Sequence, residues 1–233
     1  GNIVNNGAVI YNRSNDATYD GVISGTGTGT KLGAGTLTLT GTNTFTGTIA
    51  INAGQLSIGS DANLGASTST LALNNGVLAT TATMTLASTR SITLGTFGSG
   101  NGFSPASGTT LTFDGVISGN GGLTKYDSGT LSLGGANTFA GLTIGSGRVK
   151  LTGNTAAGAG KLTFTGSNTY AEFSTTSPVL NGLESSAATS GEVQLTSPFS
   201  PRLTINQNFD STFYGNLRGD SGNVCVRLRT QGF

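Results

Sequence analysis

Short alternations of apolar and small polar residues recur along the chain. In GTLTLTGTNTF, residues 35–45, Leu37 and Leu39 alternate with threonines. A period of two is typical of a strand that has one buried and one solvent-facing side. The pattern returns at Ile49/Ile51, Leu56/Ile58, Leu71/Leu73, Leu131/Leu133, Leu142/Ile144, Val149/Leu151, Leu162/Phe164 and Leu203/Ile205. The chain is therefore predicted to consist of many short strands.

The residues between these runs favour turns over helices. Gly, Asn, Ser and Asp bound each run, and they permit tight turns and positive φ angles. No long window shows apolar residues at the three-to-four spacing of an amphipathic helix. Gly and Thr each occur 39 times, and neither favours the interior of a helix. We therefore expect an all-β protein with almost no α-helix.

Long stretches of the sequence are repeated. Residues 20–47 align without a gap to residues 114–141, 94 positions later (114 − 20 = 94), and 18 of the 28 positions are identical. After a deletion of one residue, residues 51–58 also resemble residues 144–151. We predict one domain over 1–233, with repeat copies at 19–65 and 113–160, a partial echo at 162–170 and the start of another at 213–222.

A β-solenoid explains these features better than a sandwich or a propeller. A sandwich does not require sequence repeats, and a propeller would repeat each blade every 40–50 residues or so. In a solenoid, parallel strands stack about 4.8 Å apart and inward side chains form ladders along the axis. At about 20–25 residues per coil, we expect roughly ten coils.

Each position of the repeat has a predicted place in the coil. Leu37 and Leu39 should point inward, Gly41 should turn a corner, and Phe45 should close the next face. Asn43 is expected to stack on asparagines of adjacent coils, as in amide ladders. In the first copy, Gly29 stands where the second copy has Leu123. One inward position of the first copy is therefore expected to be empty.

Charge and length exclude several kinds of partner. The chain has 11 basic and 10 acidic residues, a net charge of +1, and no strongly basic face, so we expect no nucleic-acid binding. No apolar run approaches the roughly 20 residues of a membrane-spanning helix. Cys225 is the one cysteine and there is no histidine, so a small apolar role for Cys225 is favoured over a nucleophile. The start of the chain resembles a cut or processed end.

Candidate chemistry is sparse, and we assign no catalytic, cofactor-binding or metal-binding residue. Residues 25–31, GTGTGTK, lack the phosphate-loop pattern and are interpreted as a flexible turn. Asp20 and Asp114 each precede a glycine, so an Asp-Gly turn is favoured over a catalytic pair. Residues 98–108 lack the aspartate of a calcium-binding nonapeptide and are interpreted as a loop. Five tyrosines could form a sugar-stacking strip, although packing is favoured: Tyr11, Tyr19, Tyr126, Tyr170 and Tyr214.

The repeat resembles the passenger-associated transport repeat, also called the autotransporter-associated β-strand repeat. Its pattern of G-x-G-T-L-x-L-x-G-x-N-T-[YF]-x-G and then I-x-x-G-x-L-x-[LI] matches residues 33–58, and 129–151 match most of it. Residues 115–125, GVISGNGGLTK, are also typical of the family. The resemblance implies a right-handed parallel β-helix, outside or on the surface of a Gram-negative-type cell. After Tyr170 the pattern weakens, and residues 223–233 do not continue it.

The resemblance implies a non-enzymatic scaffold or stalk in a passenger used for surface display or adhesion. Two alternatives stay open. The first is a self-assembling subunit of an extracellular filament or surface array, whose solenoid ends would bind copies of itself. The second is a β-helix enzyme that acts on polysaccharides. Host or surface glycans also remain open as partners.

Overall fold

The structure is a computed structural model that describes residues 1–96, 100–186, 188, 191–197, 201–207, 212–219 and 225–230. Its strands, in chain order, are β1 (Ile3–Val4), β2 (Ala8–Asn12), β3 (Ala17–Tyr19), β4 (Ile23–Ser24), β5 (Thr28–Leu32), β6 (Thr36–Leu39), β7 (Ile49–Ile51), β8 (Gln55–Ile58), β9 (Leu71–Leu73), β10 (Val77–Thr80), β11 (Met84–Leu86), β12 (Ile92–Leu94), β13 (Gly102–Pro105), β14 (Thr110–Phe113), β15 (Ile117–Ser118), β16 (Leu123–Lys125), β17 (Thr130–Leu133), β18 (Leu142–Ile144), β19 (Gly147–Leu151), β20 (Leu162–Phe164), β21 (Thr169–Phe173), β22 (Val179–Leu180), β23 (Leu183–Ser185), β24 (Glu192–Leu195), β25 (Arg202–Gln207), β26 (Asn216–Gly219) and β27 (Cys225–Thr230).

The chain winds repeatedly around three long parallel sheets. Sheet I has the order β2-β5-β7-β9-β12-β15, and sheet II has the order β3-β6-β8-β10-β13-β16-β18-β20-β23. Sheet III has the order β11-β14-β17-β19-β21-β24-β26, and smaller sheets join β1 to β4 and β22 to β25 and β27. From β9 to β17, successive strands belong to sheets I, II and III in strict rotation. One coil of the solenoid therefore has three faces.

Strand pairing gives the length of each coil. Leu37 pairs with Leu56, 19 residues later, and Leu78 pairs with Phe103, 25 residues later. Every strand pair in the described part of the chain is parallel, with about ten turns in all. The predicted β-solenoid and the predicted number of coils are confirmed.

The core is a set of inward ladders that run along the axis. In sheet II, residues in register from coil to coil form one ladder of nine: Ala17, Leu37, Leu56, Leu78, Phe103, Lys125, Ile144, Phe164 and Ser185. Leu39 and Phe45 are buried as predicted, whereas Leu37 is half-buried against the same core. Burial of each such aliphatic side chain contributes roughly 1.5–3 kcal/mol. The alternating leucines therefore supply the main driving force for stacking.

Gly41 lies at a corner where neighbouring coils approach closely. A Cβ added to Gly41 would lie 2.2 Å from the carbonyl oxygen of Gly21 in the preceding coil. No side chain fits there without displacing backbone. The predicted corner role of Gly41 is therefore confirmed, and its physical reason is close backbone contact between coils.

The two repeat copies occupy different faces of the solenoid. Strand β6 lies in sheet II, whereas its copy β17 lies in sheet III. Likewise β5 lies in sheet I and its copy β16 in sheet II. The offset of 94 residues is not a whole number of coils, so the second copy is rotated by one face. The repeated sequence therefore encodes local strands and corners, and not a fixed face.

Helical structure is minimal and the solenoid extends past the repeats. The described residues contain one helical segment, a short 3-10 helix at Asp61–Leu64. Near the carboxyl end, β27 pairs in parallel with β25 over six residues. Residues 225–230 thus add a coil strand although their sequence does not continue the repeat. Of the repeat start predicted at 213–222, residues 220–222 lie outside the described residues.

Candidate functional site

The turn predicted at residues 25–31 is present only at their start, where the chain bends and Gly25 has a φ of 101°. Residues 28–32 form β5, which pairs with β2 on one side and β7 on the other. Lys31 points into the core and is only 2 % exposed. In register it lies between Tyr11 and Ile51, so the lysine occupies a place in an inward ladder. For residues 28–31 the turn prediction was wrong, because pairing with β2 and β7 holds the backbone extended despite Gly29.

Lys31 and Lys125 have the same environment in the two repeat copies. The Nζ of Lys31 donates to the carbonyl oxygens of Leu32 at 2.8 Å, Gly33 at 2.7 Å and Ala53 at 3.3 Å. The first carbonyl belongs to the last residue of β5, the second to the corner after β5, and the third to the corner one coil later. Each lysine therefore joins two stacked corners by hydrogen bonds to backbone.

Lys125 repeats this arrangement closely. Its Nζ donates to the carbonyl oxygens of Tyr126 at 2.6 Å, Asp127 at 2.7 Å and Ser146 at 3.2 Å. Both corners contain a residue at positive φ, Asp127 at 59° and Gly147 at 70°. Backbone carbonyl oxygens that are shielded from water need a hydrogen-bond donor. The ammonium thus supplies the donor for three carbonyl oxygens at these two corners.

Burial changes the ionisation of both lysines. Desolvation lowers the pKa of Lys125 from 10.5 to about 8, against a smaller opposing effect of Asp127. Desolvation also lowers the pKa of Lys31, and there the opposing charge is Asp16. Three hydrogen bonds to carbonyls thus do not fully compensate the loss of water around the ammonium. The lysines are structural cations, and sequence analysis missed them because their positions follow only from strand register.

A buried arginine joins coils in the same manner between the two copies. Arg90 is 2 % exposed, and its Nη2 lies 3.0 Å from Oδ1 of Asp61 on the 3-10 helix. Its Nη1 donates to the carbonyls of Leu64 at 3.2 Å and Ser69 at 3.1 Å. Removal of either partner of this ion pair would leave a buried charge without a counter-ion. Arg90 therefore fixes the 3-10 helix to the coil that follows.

Asn43 does bridge coils, but not by the predicted stacking on other asparagine side chains. Its Oδ1 accepts from the N–H of Ile23 at 2.7 Å, and its Nδ2 donates to the carbonyl of Asn63 at 2.6 Å. Asn137 in the second copy bonds the N–H of Ile117 and the carbonyl of Ala156 at 2.8 Å each. Each amide thus bonds to the backbone of both the preceding and the following coil. It does so at a position in its own coil that is not part of a strand.

The empty inward position predicted at Gly29 is confirmed. An apolar cavity of about 60 Å³ lies there, lined also by Tyr11, Phe45 and Ile49. A Cβ on Gly29 would come no nearer than 3.9 Å to Cγ1 of Ile49. The buried hydroxyl of Tyr11 beside this cavity lacks a hydrogen-bond partner. Leu123 is only 1 % exposed and fills the equivalent position of the second copy.

The other residues that the sequence singled out do not assemble into a catalytic site. Asp20 and Asp114 are exposed before bends in coils that are not neighbours, so they do not face each other. Within 98–108, interpreted as a loop, Gly102–Pro105 is instead a buried strand, because its residues pair with β10 and continue sheet II. Residues 98 and 99 and the side chain of Cys225 lie outside the described residues. No group of three or more potential metal ligands occurs in the described part of the chain.

The five tyrosines do not form one strip. Tyr11 lies on sheet I, Tyr19 on sheet II and Tyr170 on sheet III, while Tyr126 directly follows a strand of sheet II. Tyr214 precedes β26 and is 58 % exposed. The continuous sugar-stacking surface that their number suggested is therefore not formed. Tyr170 alone lies within a dense set of charged and amide side chains.

That set forms what we call the polar platform, on the outer side of β19, β21, β24 and β26. Elsewhere the outer positions of the sheets carry mostly Thr, Ser and Ala, as at Thr110 and Thr130 in the same register. The platform consists of two adjacent outer ladders: Arg148, Tyr170, Glu192 and Asn216, and Lys150, Glu172, Gln194 and Arg218. Sequence analysis missed it because its charges are about a coil apart in the chain.

Interactions between neighbouring coils order the platform. Arg148 Nη1 lies 2.9 Å from both Oε2 of Glu172 and Oε1 of Gln194. Its guanidinium carbon lies 4.9 Å from the ring centroid of Tyr170, a cation–π arrangement. Glu192 is bonded by Gln194 and lies 3.2 Å from the Nε of Arg218. Together these contacts restrict the rotamers of Tyr170 and Glu192.

Comparison with known proteins identifies the repeat. The passenger-associated-transport-repeat model matches residues 30–58, 123–151 and 155–176. The chain is also similar to "Adhesin BmaC autotransporter" of Brucella suis biovar 1 (strain 1330), with 41% identity over 108 residues. That match covers 46% of this chain and only 3% of the much longer relative. No solved structure matches the chain, and the described residues include no helix long and apolar enough to cross a membrane. The resemblance found in the motif is thus confirmed, and this β-solenoid carries passenger-associated-transport-repeat sequence in three places.

Proposed function

We propose that this segment is a non-enzymatic stalk of an autotransporter-like passenger, exposed on or released from a Gram-negative-type cell, with a role in adhesion. The observation that carries the proposal is the uninterrupted inward ladder of sheet II, which runs through nine strands from Ala17 to Ser185. It makes a core that continues along the axis, with one apolar cavity beside Gly29 among the described residues. Such a core suits a spacer that holds surfaces apart.

The mechanical argument follows from stacking. Each coil contacts mainly the coils before and after it, so stiffness comes from summed neighbour contacts. About ten coils at a strand spacing of about 4.8 Å give a rod about 50 Å long. The buried cations and the cross-coil asparagines add bonds between neighbouring coils. A longer passenger built from such segments would extend in proportion to its number of coils.

The comparisons support the same role. The matched repeat is named for passenger transport, and the relative is named an adhesin and an autotransporter. Because the match covers only a small part of that relative, adhesion by this chain is part of the proposal. The separated, exposed positions of Asp20 and Asp114 also favour a non-catalytic role over a polysaccharide enzyme.

Electron microscopy of the purified chain tests the proposal. Discrete rods about 50 Å long are expected at micromolar concentration, in keeping with about ten coils. Long fibres of constant diameter would instead support the filament alternative, in which solenoid ends bind copies of the chain. Turnover of any member of a polysaccharide panel would contradict the non-enzymatic assignment.

A further inference from the structure

The apolar cavity beside Gly29 differs from the matching place in the second copy at two positions. Gly29 stands where the second copy has Leu123, and Tyr11 stands where it has Phe103. Each of the two aromatic residues lies one coil before the buried lysine of its copy and in register with it. Compared with the second copy, the first copy therefore lacks a leucine side chain and has an additional hydroxyl group at the same place.

The cavity is apolar, and solvent reaches it. Its volume is about 60 Å³, and its wall includes the side chains of Val9, Ile23, Leu37 and Ile49. Val9 and Leu37 occupy inward positions, yet both are only half-buried, as is Gly29 itself. A small molecule can therefore enter the cavity from solvent.

One polar atom of the wall has no partner. The hydroxyl of Tyr11 is buried and lacks a hydrogen-bond partner among the described residues. The ammonium of Lys31, which also lines the cavity, is engaged by three carbonyl oxygens. The Asn5 amide donates to the carbonyl of Thr28 at 3.0 Å and accepts from the N–H of Gly7 at 3.1 Å. Because an unpartnered buried hydroxyl is unfavourable, an occupant that bonds the Tyr11 hydroxyl gains free energy.

Size and polarity restrict what can fill the cavity. An apolar cavity of about 150 Å³ holds benzene, so one of about 60 Å³ suits a molecule of roughly two to four non-hydrogen atoms. Water fits by volume, but a buried water usually needs two to four polar partners. In the described part of the wall, the buried polar side-chain atom without a partner is the Tyr11 hydroxyl alone. A charged molecule would lose its hydration against an apolar wall.

We propose that the cavity beside Gly29 binds a small neutral molecule with an apolar body and one hydroxyl group, such as a short-chain alcohol. The apolar body lies against Leu37 and Ile49, and the hydroxyl group bonds to the hydroxyl of Tyr11. The site belongs to the first repeat copy and does not depend on the stalk role. The second copy should not bind the same molecule, because Leu123 fills the space.

Methyl NMR of the purified chain, titrated with isopropanol, tests the proposal. We expect saturable shifts of the Leu37 and Ile49 methyl signals. So small a ligand should bind with a dissociation constant on the order of 1–100 mM. Gly29→Leu fills the cavity with a side chain and should abolish the saturable shifts.

Two tyrosine variants separate the hydrogen bond from the packing. Tyr11→Phe removes the hydroxyl alone and should weaken the binding of isopropanol at least threefold. Tyr19→Phe is the matched control and should bind as wild type. The Tyr19 hydroxyl lies in the same coil but donates to the carbonyl of Gly1 at 2.6 Å, and Tyr19 does not line the cavity.

The opposite results overturn the proposal. Absent or non-saturating shifts in wild type, undiminished affinity in Gly29→Leu, or equal affinity in wild type and Tyr11→Phe would each do so. Acetate is similar in size to isopropanol but charged, and saturable binding of acetate at the same methyl groups would also contradict a site for neutral molecules. Thermal unfolding shows that each variant is folded. Gly29→Leu should be at least as stable as wild type, so its loss of binding cannot come from loss of folding.

Discussion

The two repeat copies share most of their sequence but differ in how completely they are packed. In the first copy, Gly29 leaves an apolar cavity and Leu37 is half-buried. In the second copy, Leu123 and Leu131 are at most 1 % exposed, and the Leu123 side chain fills the position that is empty at Gly29. The two copies also lie on different faces of the solenoid. The shared sequence therefore specifies corners and hydrogen bonds, while packing quality depends on a few substituted positions.

The largest loss of stability is expected when a charged residue is placed in the core of the second, better-packed copy. Leu131→Asp should cost about 4 kcal/mol or more, because Leu131 is 0 % exposed between Leu111 and Val149 and its aspartate would be unpaired. Leu37→Asp, the matching change in the first copy, should cost clearly less. Denaturant unfolding measures both, and equal stability of Leu131→Asp and wild type would contradict its inward position.

Exchanging the residues at the empty position should reverse the packing difference. Leu123→Gly should lose about 3 kcal/mol by opening a cavity in the second copy. Gly29→Leu should gain about 1 kcal/mol, since its Cβ has space and the cavity is apolar. Thermal unfolding of the two variants provides the comparison. A destabilised Gly29→Leu variant would mean that the cavity does not accept a leucine side chain.

Removal of the cross-coil asparagine, Asn43 or Asn137, should lower the free energy of unfolding by about the same amount in the two copies. Asn137→Ala removes the amide that bonds Ile117 and Ala156, and Asn43→Ala removes the amide that bonds Ile23 and Asn63. Each variant should lose about 2 kcal/mol, since two backbone groups lose their partners, both buried around Asn137 and one of them partly buried around Asn43. Chemical denaturation tests this. A difference of more than about 1 kcal/mol between the variants would show that the surrounding packing dominates.

Removal of the Lys125 ammonium should give a pH-dependent effect. Lys125→Met leaves three carbonyls without their donor and should cost about 1–2 kcal/mol at pH 7. Between the folded pKa of about 8 and the ordinary 10.5, the unfolded wild-type chain holds a proton that the folded chain has released. Raising the pH through this window therefore stabilises wild type relative to Lys125→Met.

Unfolding at pH 7, 8.5 and 10 measures that difference, and the variant serves as the control for all other titrating groups. The difference in free energy of unfolding between wild type and Lys125→Met should be constant below about pH 8 and increase above it. A gap that narrows at alkaline pH would contradict the lowered pKa of Lys125. Lys31→Met should show the same direction, because burial also lowers the pKa of Lys31.

The smallest change in stability is expected for a substitution on the outer side of sheet II. Thr38→Ser gives the first copy the residue that the second copy has at Ser132, and both side chains point away from the core. The change in stability should stay below about 0.5 kcal/mol. A melting curve that overlays wild type within error is the expected result. A clear loss would show that outer threonine packing between coils contributes more than its exposure suggests.

Sequence analysis predicted the solenoid, the inward leucines, the corner at Gly41 and the gap at Gly29. These follow from local features: a period of two, glycines at turns, and a direct comparison between copies. It was wrong about residues 28–31, about the strand within residues 98–108 and about the partners of Asn43. Each of these depends on which backbone lies one coil away, and the spacing of paired residues varies from 18 (Leu131 to Val149) to 27 (Met84 to Leu111).

By itself, the sequence determined that this chain is a stack of short strands with an aliphatic interior. Both signals are local, because the alternation of apolar and polar residues and the glycines at turns are visible within a few residues of each other. Only the tertiary structure decided which distant residues meet. Coil lengths add up along the axis, so a difference of a few residues rotates the second copy by one face. The same summation brings Arg148, Tyr170 and Glu192 together on the polar platform, and it places Lys31 and Lys125 beneath two corners each.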